Sequence, residues 1–158
     1  MRCFLVIGSD IQPFEGSSIP APEVYDLMMK HQCWEFTGSA PHLDKMKKGD
    51  RILFYLGGNQ ARYFAGEAEV AGEFESVGPK SGGAFDRKQI PFFAWRVPLR
   101  EIRRYPPRRA GLDEMMDLSF VREKNVDRPY VGLLLRVGVR EIAAGDLDRI
   151  RSAVSAGV

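Results

Sequence analysis

The chain of 158 residues is 44% hydrophobic and 28% charged, and its net charge is +2. This length suffices for a core that folds without disulfides or metals, and the composition excludes a disordered or fibrous chain. The apolar runs are too short to cross a bilayer and the first residues do not form a signal peptide. We therefore predict a single cytoplasmic domain over residues 1–158, with no membrane partner.

The cysteines and histidines do not indicate a metal site or a redox site. Cys3 and Cys33 each lie in an apolar segment, so we predict buried, reduced thiols. His31 and His42 have no histidine or cysteine neighbour at the spacing of zinc ligands. We expect neither a metal nor another cofactor.

The charge is concentrated in the middle of the chain. Residues 45–109 carry 14 basic and 7 acidic side chains, whereas residues 1–44 carry 2 basic and 6 acidic ones. This asymmetry is typical of a protein with a polyanionic partner, and it is equally consistent with a solvated basic surface. The composition leaves these two interpretations open.

The first elements are a strand and a helix. The apolar run Cys3–Ile7 predicts a buried strand, and a long loop follows it as far as Pro20. Pro22 suits the first turn of a helix that continues to about His31. Val24, Leu27 and Met28 form an apolar stripe on this helix, so we expect it to pack on a sheet.

A short strand with two large aromatic residues comes next. Residues 32–37 alternate apolar and polar side chains, and the pattern ends at Gly38-Ser39-Ala40-Pro41. Small polar groups and free backbone NH groups beside Trp34 and Phe36 can hold a flat heterocycle by stacking and edge hydrogen bonds. The alternative, in which both aromatic residues belong to an ordinary core, stays open from this pattern.

A basic turn leads into a predicted hairpin. Residues 41–48 predict a short helix, and Lys48-Gly49-Asp50 predicts a tight turn into a strand over residues 51–56. Turn residues at 57–60 separate this strand from a second one over residues 64–73. We interpret the segment as the scaffold of a small β domain.

Arginines accompany the next strand. Residues 91–99 are aromatic and extended, continuing through Ile102, whereas the glycine-rich loop 78–83 lacks the order of a phosphate-binding P-loop. The arginines at 96, 100, 103, 104, 108 and 109 form the densest basic cluster in the chain. They are either phosphate contacts or protection for a sheet edge.

The last third alternates apolar helical and extended patterns. Residues 112–124 predict short helical turns, residues 138–142 a closing strand, and residues 143–153 a terminal helix. Without internal repeats or linkers, the whole pattern predicts one α+β domain built on a mostly antiparallel, barrel-like sheet.

A collinear series of short motifs resembles the EVE family of the PUA-like superfamily, which is related to YTH and ASCH domains. The motifs, in chain order, are Trp34 in its strand, Lys48-Gly49-Asp50, Ile52-Leu53-Phe54-Tyr55, residues 65–70, Trp95-Arg96-Val97, residues 134–142 and Asp146-Leu147. The resemblance spans nearly the whole chain. It implies a PUA-like, mixed but mostly antiparallel β-barrel flanked by short helices.

The resemblance also implies a pocket for a modified nucleobase that is flipped from a duplex or taken from a single strand. The predicted pocket residues are Trp34, Phe36, Thr37, Gly38, Ser39, Tyr55 and Trp95. The predicted contacts to the nucleic-acid backbone are Lys45, Lys47, Arg100, Arg103, Arg104, Arg136 and Arg140. The implied partner is a nucleic acid with a modified base, DNA or RNA.

Three functions follow as hypotheses. The first is a non-enzymatic module that reads a modified or flipped base. The second is an ASCH-like enzyme acting on RNA or a nucleotide, for which the sequence offers isolated candidates such as Glu35 and Lys45 but no recognisable triad or carboxylate pair. The third is an adaptor domain with a vestigial pocket.

Overall fold

A computed structural model describes residues 1–58 and 60–156. Asn59 in the predicted 57–60 turn and the last two residues of the predicted domain lie outside the described residues. The strands are β1 (Cys3–Gly8), β2 (Cys33–Thr37), β3 (Arg51–Leu56), β4 (Tyr63–Val70), β5 (Glu75–Ser76), β6 (Phe93–Arg104) and β7 (Val139–Ile142). The α-helices are α1 (Ala21–Lys30), α2 (Leu112–Met116), α3 (Ser119–Lys124), α4 (Val131–Leu135) and α5 (Ala144–Ser155).

The strands form one curled sheet in the order β2-β6-β4-β3-β1-β7, with β5 added beside β6. The β1–β3 pair is parallel and the other pairs are antiparallel. This confirms the predicted α+β fold with a mostly antiparallel sheet. Within the described chain, β2 and β7 end the strand order and do not pair, so the half-barrel is open along a seam between them.

Each face of the sheet buries its own apolar core, because successive side chains of a strand point to opposite faces. Phe54 of β3 packs in the first core with Trp34 and with Met28 of α1. The next residue, Tyr55, packs in the second core, which is covered by α2 to α5 and includes Ile150. The alternation of side chains along β3 (the strand parity) therefore decides which of the two cores each of its residues joins.

The predicted Lys48-Gly49-Asp50 turn is confirmed, but the helix predicted before it is shorter. Gly49 has φ +95°, and the buried Asp50 carboxylate accepts hydrogen bonds from the Lys47 and Arg2 amides at 2.9 and 3.0 Å. Only the 3-10 turn Leu43–Lys45 stands where we predicted a helix over residues 41–48. The Asp50 carboxylate binds the amide of Lys47 and so stabilises a turn in place of a further helical turn.

A buried carboxylate holds the C-terminal helix on the sheet. Glu67 of β4 accepts hydrogen bonds of 2.6 to 3.1 Å from Arg151 of α5 and a further one from the Tyr105 hydroxyl. Burial alone raises the pKa of Glu67. The hydrogen bonds from Arg151 and Tyr105, together with the charges of Arg151 and Arg103, outweigh burial and hold the pKa below its usual value.

The two cysteines are free and buried, as predicted. Cys3 lies in β1 and Cys33 in β2, on different strands of the sheet. Burial raises the pKa of Cys33 to about 11, which keeps its thiol protonated and unreactive at neutral pH.

The described stretches of the chain contain no helix whose length and apolarity would allow it to cross a membrane.

Candidate functional site

A cavity of about 300 Å³ lies in the open seam of the sheet. One wall is formed by β2 and the loop after it, with Trp34, Phe36, Thr37 and Ser39, and the other by residues 136–139 before and at the start of β7. We call this space the seam cavity. Its volume lies at the lower end of the range of about 300–1,000 Å³ for small-molecule sites.

Trp34 is a fixed wall of the seam cavity. Trp34 is 5% exposed, and its ring lies 5.0 Å from the ring of Phe54 and 6.3 Å from that of Tyr25. Gly8 permits this position, because a Cβ there would lie 3.1 Å from the Trp34 ring and 2.9 Å from Leu56. Trp34 therefore belongs to the core and lines the cavity at once, which combines the two interpretations of the sequence.

Two further aromatic residues line the seam cavity and were missed as pocket residues in the sequence. Phe93 stacks on Phe85 at 5.4 Å, and Phe92 lies 5.2 Å from Phe93 with 40% of its surface exposed. A register shift between Phe36 and Thr37 pairs Thr37 with Phe93 and thus brings Phe93 to the cavity. In the sequence, the consecutive residues Phe92 and Phe93 were the available signal for these pocket residues. The position of Phe93 at the cavity, however, depends on the register shift.

Polar groups at the mouth of the seam cavity are few and small. Thr37 and Ser39 are exposed, and their hydroxyl oxygens lie 3.5 Å apart. Asp10 also lines the cavity, where its carboxylate accepts a hydrogen bond of 2.8 Å from the Ala21 amide at the start of α1. The two hydroxyls are able to donate and accept, so they suit recognition of the edge of a heterocycle.

A buried ion-pair network holds residues 81–87, which include Phe85, against β2. The Glu35 carboxylate has a fully buried side chain and accepts two hydrogen bonds of 2.6 Å from Arg87 and bonds of 3.1 and 2.9 Å from Arg96. Arg87 also donates to the carbonyls of Ser81 and Gly82. Glu35, a candidate general base in the sequence, is thus engaged by two guanidinium groups and anchors residues 81–87 to β2.

Three predicted pocket residues lie elsewhere. Tyr55 does not share the seam cavity with Trp34, contrary to the prediction, because strand parity gives that face to Phe54. Trp95 packs edge to face on Phe74 at 5.4 Å, and Gly38 lies against Ala94. The structure therefore brings together Trp34, Phe36, Thr37 and Ser39 of the predicted set.

The predicted phosphate contacts are dispersed over the molecule. Arg100 pairs with Glu69, Arg104 pairs with Asp26 at 2.5 Å, and Arg103 lies over the Tyr105 ring. Lys45 and Lys47 line a shallow cleft with Asp44 and Asp50, while Arg140 lies 4.7 Å over the Phe120 ring. Within the described chain, Arg136 is the member of this set that lines the seam cavity.

Comparison with known proteins decides the family. The family model of the EVE domain matches residues 28–153. The chain belongs to the EVE domain family. The matched region of this EVE domain runs from α1 to α5 and includes both walls of the seam cavity, which confirms the resemblance seen in the sequence. No curated protein matches the sequence significantly.

Solved structures share the fold of this EVE domain. Human THYN1, in complex with DNA containing 5-methylcytosine, has a TM-score of 0.56 and 14% identity, and the alignment covers 98% of both chains. A hypothetical protein from Leishmania major has a TM-score of 0.60 and 17% identity over 99% of this chain and 96% of its own. The YTH domain of Zygosaccharomyces rouxii MRB1, in complex with N6-methyladenosine RNA, has a TM-score of 0.53 and 13% identity over 97% of this chain and 86% of its own.

Proposed function

We propose that this EVE domain is a non-enzymatic nucleic-acid-binding module that reads one modified base, flipped from a duplex or unpaired, in the seam cavity. The observation that carries the proposal is a cavity walled by Trp34, Phe36 and Phe93 with two hydroxyl groups at its mouth. The family match supports it, as do the methylated DNA and RNA bound by the THYN1 and MRB1 structures.

The walls suit a base because a base has a flat face and a polar edge. Aromatic rings stack on the face of any base, and each stacked base contributes about 1–3 kcal/mol. Thr37 and Ser39 supply donors and acceptors for the edge. The apolar side chains of Val6 and Val139, which also line the seam cavity, are able to pack against a methyl group.

Stacking on a wall that is already in place limits the entropic cost of binding. Trp34 is held by Phe54 and Tyr25, so its ring need not be ordered when a base enters. Phe92, by contrast, is partly exposed at the mouth. We propose that Trp34 fixes the depth of the base and that Phe92 covers it from the solvent side.

The test uses the fact that the chain has two tryptophans, at positions 34 and 95. In the Trp95→Phe variant, the remaining tryptophan fluorescence comes from Trp34. Single-stranded and duplex oligonucleotides of DNA and RNA, each with and without a methylated base, are titrated into this variant. Quenching that saturates with a methylated oligonucleotide, and not with its unmethylated match, is the expected result.

Affinity measurements complete the test. Trp34→Ala should weaken binding by about 1–3 kcal/mol, and Trp95→Ala is the matched control outside the seam cavity. Because Trp34 also belongs to the core, Thr37→Val and Ser39→Ala provide exposed substitutions that leave the core intact. Unchanged affinity in all three cavity variants, or turnover of the oligonucleotide by the wild-type protein, would contradict the proposal.

A further inference from the structure

A second cavity opens on the opposite face of the sheet from the seam cavity. It has a volume of about 550 Å³ and is lined by Tyr55, Arg62, Arg128, Arg136 and the glycines at 57 and 58, among others. We call it the arginine cavity. It lies where β1 and β3 end, and these strands form the parallel pair of the sheet. Crevices at the carboxyl ends of parallel strands are common ligand sites.

Tyr55 lines the arginine cavity with a side chain that is otherwise packed in the second core. The residue is 1% exposed, and its ring packs at 5.0 Å against Phe64. Burial raises the pKa of Tyr55 to about 12, despite the nearby Arg62 and Arg128, so the hydroxyl remains a donor at neutral pH.

The charge around this hydroxyl is positive. Arg62 and Arg136 are exposed and form no ion pair within the described part of the chain, whereas Arg128 pairs with Asp113. Two acidic groups lie nearby: Asp113 in its pair with Arg128, and Asp10, which lies beside Gly58 and accepts a hydrogen bond from the Ala21 amide. Guanidinium groups that converge on a neutral donor suit a phosphate, whose oxygens accept several charge-assisted hydrogen bonds.

We infer that the arginine cavity binds the phosphate of a nucleotide, with Arg62, Arg128 and Arg136 as cationic contacts and the Tyr55 hydroxyl as a donor. This inference extends the proposed function. It rests on that function only for the question of which molecule carries the phosphate. That origin is either the strand whose base occupies the seam cavity or a free nucleotide. The two cavities share Ile7, Ser9 and Arg136, so a strand entering one passes directly by the other.

The experiment compares three probes that carry the same group: inorganic phosphate, a nucleoside 5′-monophosphate and a 5′-phosphorylated oligonucleotide with a methylated base. Each is titrated by calorimetry into the wild-type protein and into the double variant Arg62→Gln/Arg128→Gln. Arg149→Gln is the control, because Arg149 is exposed on α5 away from both cavities. Tyr55→Phe removes the hydroxyl and keeps the ring in the core.

The double variant should bind the oligonucleotide at least about tenfold more weakly, since one hydrogen bond to a charged group contributes about that factor. The slope of log affinity against log salt should become shallower by about 0.7 for each lost phosphate contact to a single strand. Tyr55→Phe should weaken binding several-fold, and Arg149→Gln should bind as the wild type does. A double variant that retains the wild-type affinity and salt slope would overturn the inference.

The probes separate the two origins of the phosphate. If the arginine substitutions weaken only the oligonucleotide, the phosphate belongs to the strand; if they also weaken the monophosphate, a free nucleotide suffices. Both outcomes support the inference. Trp34→Ala distinguishes it from the proposed function: if this variant binds the methylated oligonucleotide as well as the wild type does while the arginine dependence persists, base reading fails and the phosphate site stands.

Discussion

The seam cavity and the arginine cavity lie on opposite faces of one strand pair, yet their chemistry differs. The seam cavity has aromatic walls with two exposed hydroxyls, whereas the arginine cavity is lined by Tyr55, by Arg62 and Arg128, and by Arg136, which the two cavities share. The strand β3 contributes to both sides, with Phe54 behind one cavity and Tyr55 in the other. The difference shows that the segments folded against the sheet, residues 81–93 on one face and 128–136 on the other, decide what each face recognises.

The two faces also differ in how their covering segments are attached. Glu35, whose side chain is fully buried, holds the loop 81–87 through Arg87 and Arg96. Glu67 holds α5 through Arg151, whose side chain is 34% exposed, and through Tyr105. Because water screens part of the second network, the first one should contribute more to stability, and variants of the two carboxylates test this order.

The largest effect is expected for Glu35→Gln. The substitution removes the carboxylate that pairs with Arg87 and leaves Arg96 with the exposed Glu75, and breaking a buried pair in this way costs about 3–5 kcal/mol of unfolding free energy. Urea denaturation followed by circular dichroism measures the change. Glu75→Gln is the matched control, because Glu75 also contacts Arg96, at 3.7 Å, but its side chain is 64% exposed. Its effect should stay below about 1 kcal/mol, and equal losses for both variants would contradict this account.

Glu67→Gln should cost about 2–3 kcal/mol at pH 7, since it weakens hydrogen bonds to a charged group. The pKa of Glu67 is lowered in the folded protein, so the carboxylate stabilises the fold fully above about pH 4.3, its ordinary pKa. This contribution is lost as the pH falls through the lowered pKa. Unfolding free energies of wild type and variant should therefore converge as the pH falls below the ordinary pKa, and a constant difference would show that the shift is absent.

Gly8→Ala should affect binding in the seam cavity and not in the arginine cavity. The added methyl group would contact Trp34 and Leu56 at 3.1 and 2.9 Å, so these side chains must move, at a cost of about 1–2 kcal/mol. We expect weaker binding of the methylated base and unchanged binding of phosphate, both measured by calorimetry. An equal loss of base binding and phosphate binding would mean that the two cavities do not bind independently.

The smallest effect on stability is expected for Phe92→Ala, because Phe92 is 40% exposed. Its unfolding free energy should change by less than about 1 kcal/mol, while base binding should weaken by about 1 kcal/mol through lost stacking. Phe14→Ala is the control, since Phe14 is a 73% exposed phenylalanine outside the walls of the seam cavity. Equal affinities of the two variants would exclude Phe92 as a cover for the base.

Local signals made the scaffold predictable. The Lys48-Gly49-Asp50 turn and the apolar strand after it depend on neighbours in the chain, and the collinear motifs indicated the family and the fold. The alternation within β2 was sufficient to place Trp34 and Phe36 on one face of the strand, next to Thr37 and Ser39. The turn and the strand were predictable because their contacts are close in sequence, whereas the opposite wall of the seam cavity comes from residues 136–139.

The remaining features depend on distant contacts. The sequence alone does not say that Phe54 rather than Tyr55 faces Trp34, because strand parity is relative to a partner elsewhere in the chain. The position of Phe93 requires the register shift beside Thr37. The arginine cluster was hardest to interpret, since the partners of Arg100 and Arg104 lie 31 and 78 residues away and neutralise much of the expected phosphate surface.

The open seam has a consequence for local motion. In the described sheet, β3 and β4 are paired on both sides, whereas β2 is paired only with β6, and the Glu35 amide donates to the Met28 sulfur, a weak acceptor, at 3.2 Å. Amides of β3 and β4 should therefore exchange hydrogen for deuterium only through global unfolding, and those of β2 also through local opening. A ligand that bridges the seam would slow exchange in β2 and β7 together, although these strands lie far apart in the chain.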